Sequence, residues 1–192
     1  MLHFDIDAGQ IRNLIDELGV TEKQAKFALS RALRRTATTL RTLSQRGLKS
    51  ELDIKRAGYI RKRLKTLSFT RATFEGVKLW YGLNDMPVSA LRGSIKQTRK
   101  GAAFSGKAGQ QEFAGGFIRK SARGYGRTIL KRQGKERLPL EEAEMPVKDR
   151  MDVFVEDNIF DKTEEIFWRY FVQDMTARAR YGVGQSDYRQ RS

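Results

Sequence analysis

The amino-acid sequence predicts an α+β protein, helical at both ends with strands between. Three observations lead there. Apolar residues recur at helical spacing from Gln10 to about Arg46 and again from Val147 to Arg180. Between them, from Thr66 onward, the period drops to two. Hydrophobic residues make up 39% of the 192, with 11 Phe and only three Pro, which is enough to build a core despite a net charge of +15.

The elements follow in order. Leu2 to Asp7 alternates, with Leu2, Phe4 and Ile6 on one side, and reads as a short strand or as an arm that orders on contact. Ile11, Leu14, Ile15 and Leu18 predict a helix over Gln10 to Leu18 that stops at Gly19. Thr21 reads as the N-cap of a long helix closed by Gly47. Its stripe (Ala25, Ala28, Leu29, Ala32, Leu33, Thr36, Leu40, Leu43) is rich in alanine, which allows a close neighbour. A basic helix over Lys55 to Leu64 follows, with Asp53 as its cap and Gly58 as a weak point. Leu67, Phe69 and Arg71, then Val77, Leu79, Tyr81 and Leu83, predict a hairpin or two neighbouring strands, ended by the turn Asn84-Asp85-Met86-Pro87.

Gly93 to Gly116 carries six glycines interleaved with Lys96, Arg99, Lys100 and Lys107. It reads as a projecting basic loop over residues 92–111, or a long hairpin, that meets a neighbour rather than packing in its own core. On that reading, deleting Lys100 to Gly109 leaves the fold intact. Phe113 to Arg119 and Arg127 to Arg132 predict strands around a Gly124-Tyr125-Gly126 turn, and Leu138-Pro139-Leu140 continues the sheet. The last helical stretch, Val147 to Arg180, carries Phe154, Ile159, Phe167, Tyr170, Phe171 and Met175 and has a break near Asp157-Asn158 or Asp161. The expected organisation is a single domain over residues 1–182, with residues 1–19 as arm and short helix, and a polar tail over 183–192.

Charge is sorted along the chain. Arg31 to Arg71 holds 13 Lys/Arg against 2 acids, as does Arg92 to Arg137. Leu138 to Asp174 holds 11 acids against 4 cations. Such a chain suits a polyanion on one surface and a basic neighbour on another. Candidate contacts to DNA or to an acidic partner are Arg31, Arg34, Arg35, Arg61, Lys62, Arg63, Lys96, Arg99, Lys100 and Lys107. Candidate acidic contacts between subunits are Glu141, Glu142 and Glu144, where charge changes should cost little stability. The bland alternative for every one of these is a solvated face.

Chemistry is scarcely represented. His3 is the one histidine and there is no cysteine, so Ser-His-Asp triads, multi-histidine metal sites, thiolate sites and disulfides are excluded. Glu141-Glu142-Ala143-Glu144 is more simply a solvated loop than an oxygen-ligated cation site. Gly106-Lys107-Ala108-Gly109 lacks P-loop spacing, and Gly124-Tyr125-Gly126 lacks the strand–turn–helix context of a dinucleotide site. No catalytic residue, metal or cofactor is expected. The N-terminus lacks the basic-then-apolar pattern of a signal peptide, and no stretch approaches 18 apolar residues, so no membrane contact is expected. No base-reading motif is present, so any nucleic-acid contact is to phosphates.

The order of the pieces resembles the minor tail protein Z family of tailed phages and prophages. The similar passages are Phe27-Ala28-Leu29-Ser30-Arg31-Ala32-Leu33, Tyr59-Ile60-Arg61-Lys62-Arg63-Leu64 and Met86-Pro87-Val88-Ser89-Ala90-Leu91. They continue with Ala114-Gly115-Gly116-Phe117-Ile118, Ile129 to Leu140 and Met145-Pro146-Val147. Gly116 stands where the family more often has Ala, and Ser30 where it often has Asn. The resemblance runs from about Thr21 to Arg180. It implies long N- and C-terminal helices packed on a small antiparallel sheet, and a non-catalytic, structural role at the head-proximal end of a phage tail.

Two function classes follow. The first is a virion protein, a tail-completion or neck component joining tail tube to head connector. It would form a ring around the DNA channel, six-fold by the resemblance. Its partners would be copies of itself, tail-terminator, tail-tube and head-connector proteins, and packaged DNA without sequence preference. Its location would be the virion, and the host cytoplasm during assembly. The second is a sequence-nonspecific nucleic-acid-binding protein. Assembly without DNA marks the first; steeply salt-dependent duplex binding by a monomer marks the second.

Overall fold

The computed structural model describes residues 7–71, 74–120 and 126–184. The chain divides into two compact units. One is drawn from the chain up to Thr42, from Thr66 to Leu79, and from Asn158 onward; the other from Leu43 to Lys65 and Trp80 to Asp157. The strand expected over Leu2 to Asp7 lies outside the described residues except for Asp7. The turn residues Gly124 and Tyr125, and the tail from Gln185, lie outside them too.

The first unit is helical apart from most of the strand pair β1 (Leu64–Arg71) and β2 (Phe74–Tyr81). α1 (Ala8–Leu18) is capped by the Asp7 side chain, which accepts from the Gly9 N–H at 2.7 Å, and ends at Gly19 with φ 60°. α2 (Glu22–Glu51) opens on a reciprocal cap. The Gln24 N–H donates to Thr21 Oγ1 at 3.2 Å, and the Thr21 N–H donates to Gln24 Oε1 at 2.9 Å. α5 (Thr163–Tyr181) ends at Gly182 with φ 62°. Val20, Ala25, Ala28 and Ala32 pack with Phe167, Phe171 and Met175, and the apolar side chains of α1 close around them. The alanines leave room for the large rings of α5, so small and large residues interlock. A 3₁₀ turn over Phe160–Lys162 precedes α5, so the expected break in the last helical stretch is present.

The other unit is mostly stranded. β3 (Met86–Pro87) pairs antiparallel with β10 (Glu144–Met145). β4 (Gly93–Gln97), β5 (Gly101–Gly106) and β6 (Gly109–Ala114) form an antiparallel meander. β7 (Phe117–Lys120), β8 (Arg127–Arg132) and β9 (Leu140–Glu142) form another. β1 (Leu64–Arg71) and β2 (Phe74–Tyr81) make a two-stranded sheet, as the two-residue period predicts, and most of that pair belongs to the first unit. α4 (Lys148–Asn158) turns Met151 and Val155 inward. The buried set includes Leu48, Leu52, Ile60, Met86, Leu91, Phe104, Ile129 and Met145.

Three expectations are corrected. Gly47 does not close α2, which continues to Glu51. It is glycine because a Cβ there would fall in the ring of Phe154. The basic helix over Lys55 to Leu64 shrinks to α3 (Gly58–Arg61), and Leu64 already starts β1. Asp53 is not its cap: with φ 49° it turns the chain out of α2, and its carbonyl accepts from the Arg92 N–H at 2.9 Å. Asp tolerates that left-handed conformation better than most residues. Of the two readings of segment 92–111, the hairpin holds and the irregular loop does not. A Cβ at Gly93 would meet the Ser105 carbonyl of the paired strand and one at Gly106 the Arg92 carbonyl just before β4, so these glycines permit a ladder instead of breaking one. Ala102 and Phe104 are wholly buried.

Candidate polyanion and partner surfaces

The three candidate contacts on α2, Arg31, Arg34 and Arg35, are built into the helical unit to different degrees. Arg31 is exposed yet reaches Asp174 on α5 at 3.2 Å. Asp174 also accepts from Arg178 Nε at 2.9 Å, and both of these residues are buried. Arg178 covers the ring of Phe27 at 5.7 Å and reaches the Val183 carbonyl. Arg35 lies 4.4 Å from the ring centre of Tyr170, whose hydroxyl shares a 2.9 Å hydrogen bond with Thr39. That hydrogen bond, then the nearby Arg169 and Arg35, draw the Tyr170 hydroxyl below its ordinary pKa, while burial acts the other way. Arg31 and Arg35 therefore clip α2 to α5. Arg34 is exposed.

In the stranded unit, Arg61 and Lys62 end α3 in exposed positions, and Arg63 is half-buried. The Arg63 guanidinium donates to the Asn84 carbonyl and, at 2.7 Å, to the Asp85 carbonyl. It holds the connection between β2 and β3. Lys96, Arg99 and Lys100 gather at the β4–β5 turn and are exposed. Lys107 lies at the opposite end of β5, on the order of 20 Å away by strand rise. It donates to the Ser50 carbonyl at 3.3 Å. Among the described residues, Arg61, Lys62, Lys96, Arg99 and Lys100 make no ion pair.

The acidic run splits across two strands. Glu141 is exposed, whereas Glu142 is half-buried and accepts from Thr128 Oγ1 at 2.6 Å and the Ser89 N–H at 3.2 Å. The expectation that charge changes here cost little does not extend to Glu142. Glu144 is exposed on β10. Desolvation, then the neighbouring Asp85, raise its pKa above the usual carboxylate value, with Arg63 opposing. No group of three potential metal-ligating side chains occurs among the described residues, and no helix there is long and apolar enough to cross a membrane.

One basic surface escaped sequence reasoning. Phe117, Arg119, Arg132, Arg137, Leu138 and Leu140 line an open cleft of about 280 Å³. The β7–β8–β9 register explains it. Phe117 pairs with Leu130, Arg119 with Thr128, and Leu140 with Arg132, so these side chains share one sheet face. The 133–139 connection adds Arg137 and Leu138. The i, i+2 spacing of Phe117 and Arg119 was the available signal; the cross-strand partners were not readable without the register.

A family model described as prophage minor tail protein Z matches residues 11–181 of the chain. No curated protein and no solved structure matches it.

Proposed function

The chain belongs to the prophage minor tail protein Z family and is a structural protein of a phage tail, and we propose that it completes the tail at the neck, joining the tail tube to the head connector as a closed ring around the DNA channel. The observation that carries this reading is the family match over residues 11–181. The sorted charge supports it. A ring of identical subunits needs two different, complementary sides on each copy, and its contacts must close. Basic surfaces at the β4–β5 turn and on the β7–β8–β9 sheet, with an acidic α4, supply sides of opposite sign.

The exposed Arg61, Lys62, Lys96, Arg99 and Lys100 serve phosphates of passing DNA, or acidic tail proteins, in this reading. Glu141 and Glu144 remain available to a neighbouring subunit, and the ring's further partners are tail-terminator, tail-tube and head-connector proteins. The location is the virion, reached through assembly in the host cytoplasm. Electron microscopy of assembled particles tests the proposal. A closed ring of this chain between tube and connector is expected, and one isolated copy per tail overturns it. If the chain instead stays monomeric and binds duplex DNA with an affinity falling steeply with salt, non-specific nucleic-acid binding replaces the ring.

A further inference from the structure

We propose that the ring contact is made by the acidic face of α4 on one copy seating in the three-arginine cleft of the next; this rests on the ring reading above. The cleft sets the requirement. Its lining offers three guanidinium groups, no carboxylate, and apolar walls from Phe117, Leu138 and Leu140. Leu138 is 67% exposed, so an apolar wall stands uncovered beside the charges. An occupant must bring carboxylates around an apolar centre. Bare phosphodiesters satisfy the charge and leave the apolar wall wet.

The chain carries that complement once among its described helices. Asp149, Asp152, Val153 and Glu156 fall at i, i+3, i+4 and i+7 on α4 and are all exposed. Val153 is 59% exposed in the middle of this acidic stripe. The opposite face of the helix holds the buried Met151 and Val155, so the stripe is free of core duty. Among the described residues none of the three carboxylates pairs with a cation. Arginine suits the role because its planar fork binds carboxylates in a bidentate manner and stacks on rings. Arg132 already stands 6.0 Å from the Phe117 ring centre. Cleft and stripe are different surfaces, so the contact is heterologous, as a ring requires.

The absence of cysteine makes the test direct. Two full-length variants, Leu138→Cys and Val153→Cys, are mixed in equal amounts with different tags and oxidised. A disulfide-linked mixed dimer is expected, with neither variant linking to itself to the same extent. In parallel, Arg132→Glu/Arg137→Glu and Asp152→Lys/Glu156→Lys are followed by sedimentation velocity. Each alone should sediment as a monomer, and the mixture should reassociate, because the reversed charges again oppose. If the parent and both charge-reversed variants associate alike and no mixed disulfide forms, the ring stands and this contact is wrong. If the parent never associates, the ring reading falls and this contact with it. Loss of duplex binding in Arg132→Glu/Arg137→Glu, with association unchanged, assigns the cleft to DNA and also overturns the proposal.

Discussion

Phe171 stacks on Phe167 with ring centres 5.7 Å apart, and neither ring is exposed. Phe171→Ala would leave a cavity lined by α2 alanines that have no side chain to fill it. The expected loss is about 3–5 kcal/mol, read by denaturant melting. A variant that melts like the parent would remove both rings from the core. Glu142 differs from its neighbour Glu141 in the same physical terms. Glu142→Ala strands the buried Thr128 hydroxyl and Ser89 N–H and should cost about 1–3 kcal/mol. Glu141→Ala, at an exposed position, should change stability by less than about 0.5 kcal/mol. Tyr81 adds a pH dependence. Burial raises its pKa above 10.0, while its hydrogen bond with Ser44 pulls the other way. Above pH 10.0 the unfolded chain ionises this group first, so Tyr81 stabilises the fold below that value and stops doing so as pH rises through the folded value. Tyr81→Phe should flatten the alkaline fall in melting temperature relative to the parent; an unchanged difference between the two from pH 8 to 11 would show that the hydroxyl titrates normally.

At the scale of elements, the segment 92–111 separates two opposed expectations. A projecting loop tolerates removal of residues 100–109. The observed β5 is the central strand of its meander, and it carries the buried Ala102 and Phe104. Deleting Lys100 to Gly109 should therefore abolish cooperative melting of the stranded unit, seen by circular dichroism. A deletion variant that keeps the parental melting temperature would restore the loop reading. The sequence concealed the strands because Gly93, Gly101 and Gly106 look like loop residues, and short polar strands carry little apolar alternation. The helices were easier to read. Thr21 as an N-cap and Gly19 as a helix stop have local signatures that require no partner. Gly47 misled because its cause, the ring of Phe154, lies on a helix a hundred residues later.

For the whole molecule, the charges that matter to the proposed assembly are those the fold leaves exposed. Arg31, Arg35 and Arg63 spend their cations on Asp174, Tyr170 and backbone carbonyls within one subunit. The exposed remainder at Arg61, Lys62, Lys96, Arg99 and Lys100 is open to solvent. Contacts between such surfaces weaken as the Debye length falls from about 10 Å at 0.1 M salt to about 3 Å at 1 M. Self-association of the chain, measured by sedimentation without DNA, should decline across that range while the melting temperature of the fold changes little. Association that strengthens with salt would point to an apolar interface instead.

Periodicity and composition alone determined the α+β class, the helical ends, the β1–β2 pair and the alanine-rich stripe of α2. These are properties of neighbouring residues, or of a helix face a few residues long, so they survive without knowledge of partners. Only the tertiary structure decided which cations are engaged internally, that Glu142 is a half-buried acceptor, and that Phe117, Arg119, Arg132 and Arg137 share one cleft. Each of these depends on cross-strand register or on helices far apart in the chain. A shift of register by one residue would turn every such side chain to the other face, and no local pattern records it.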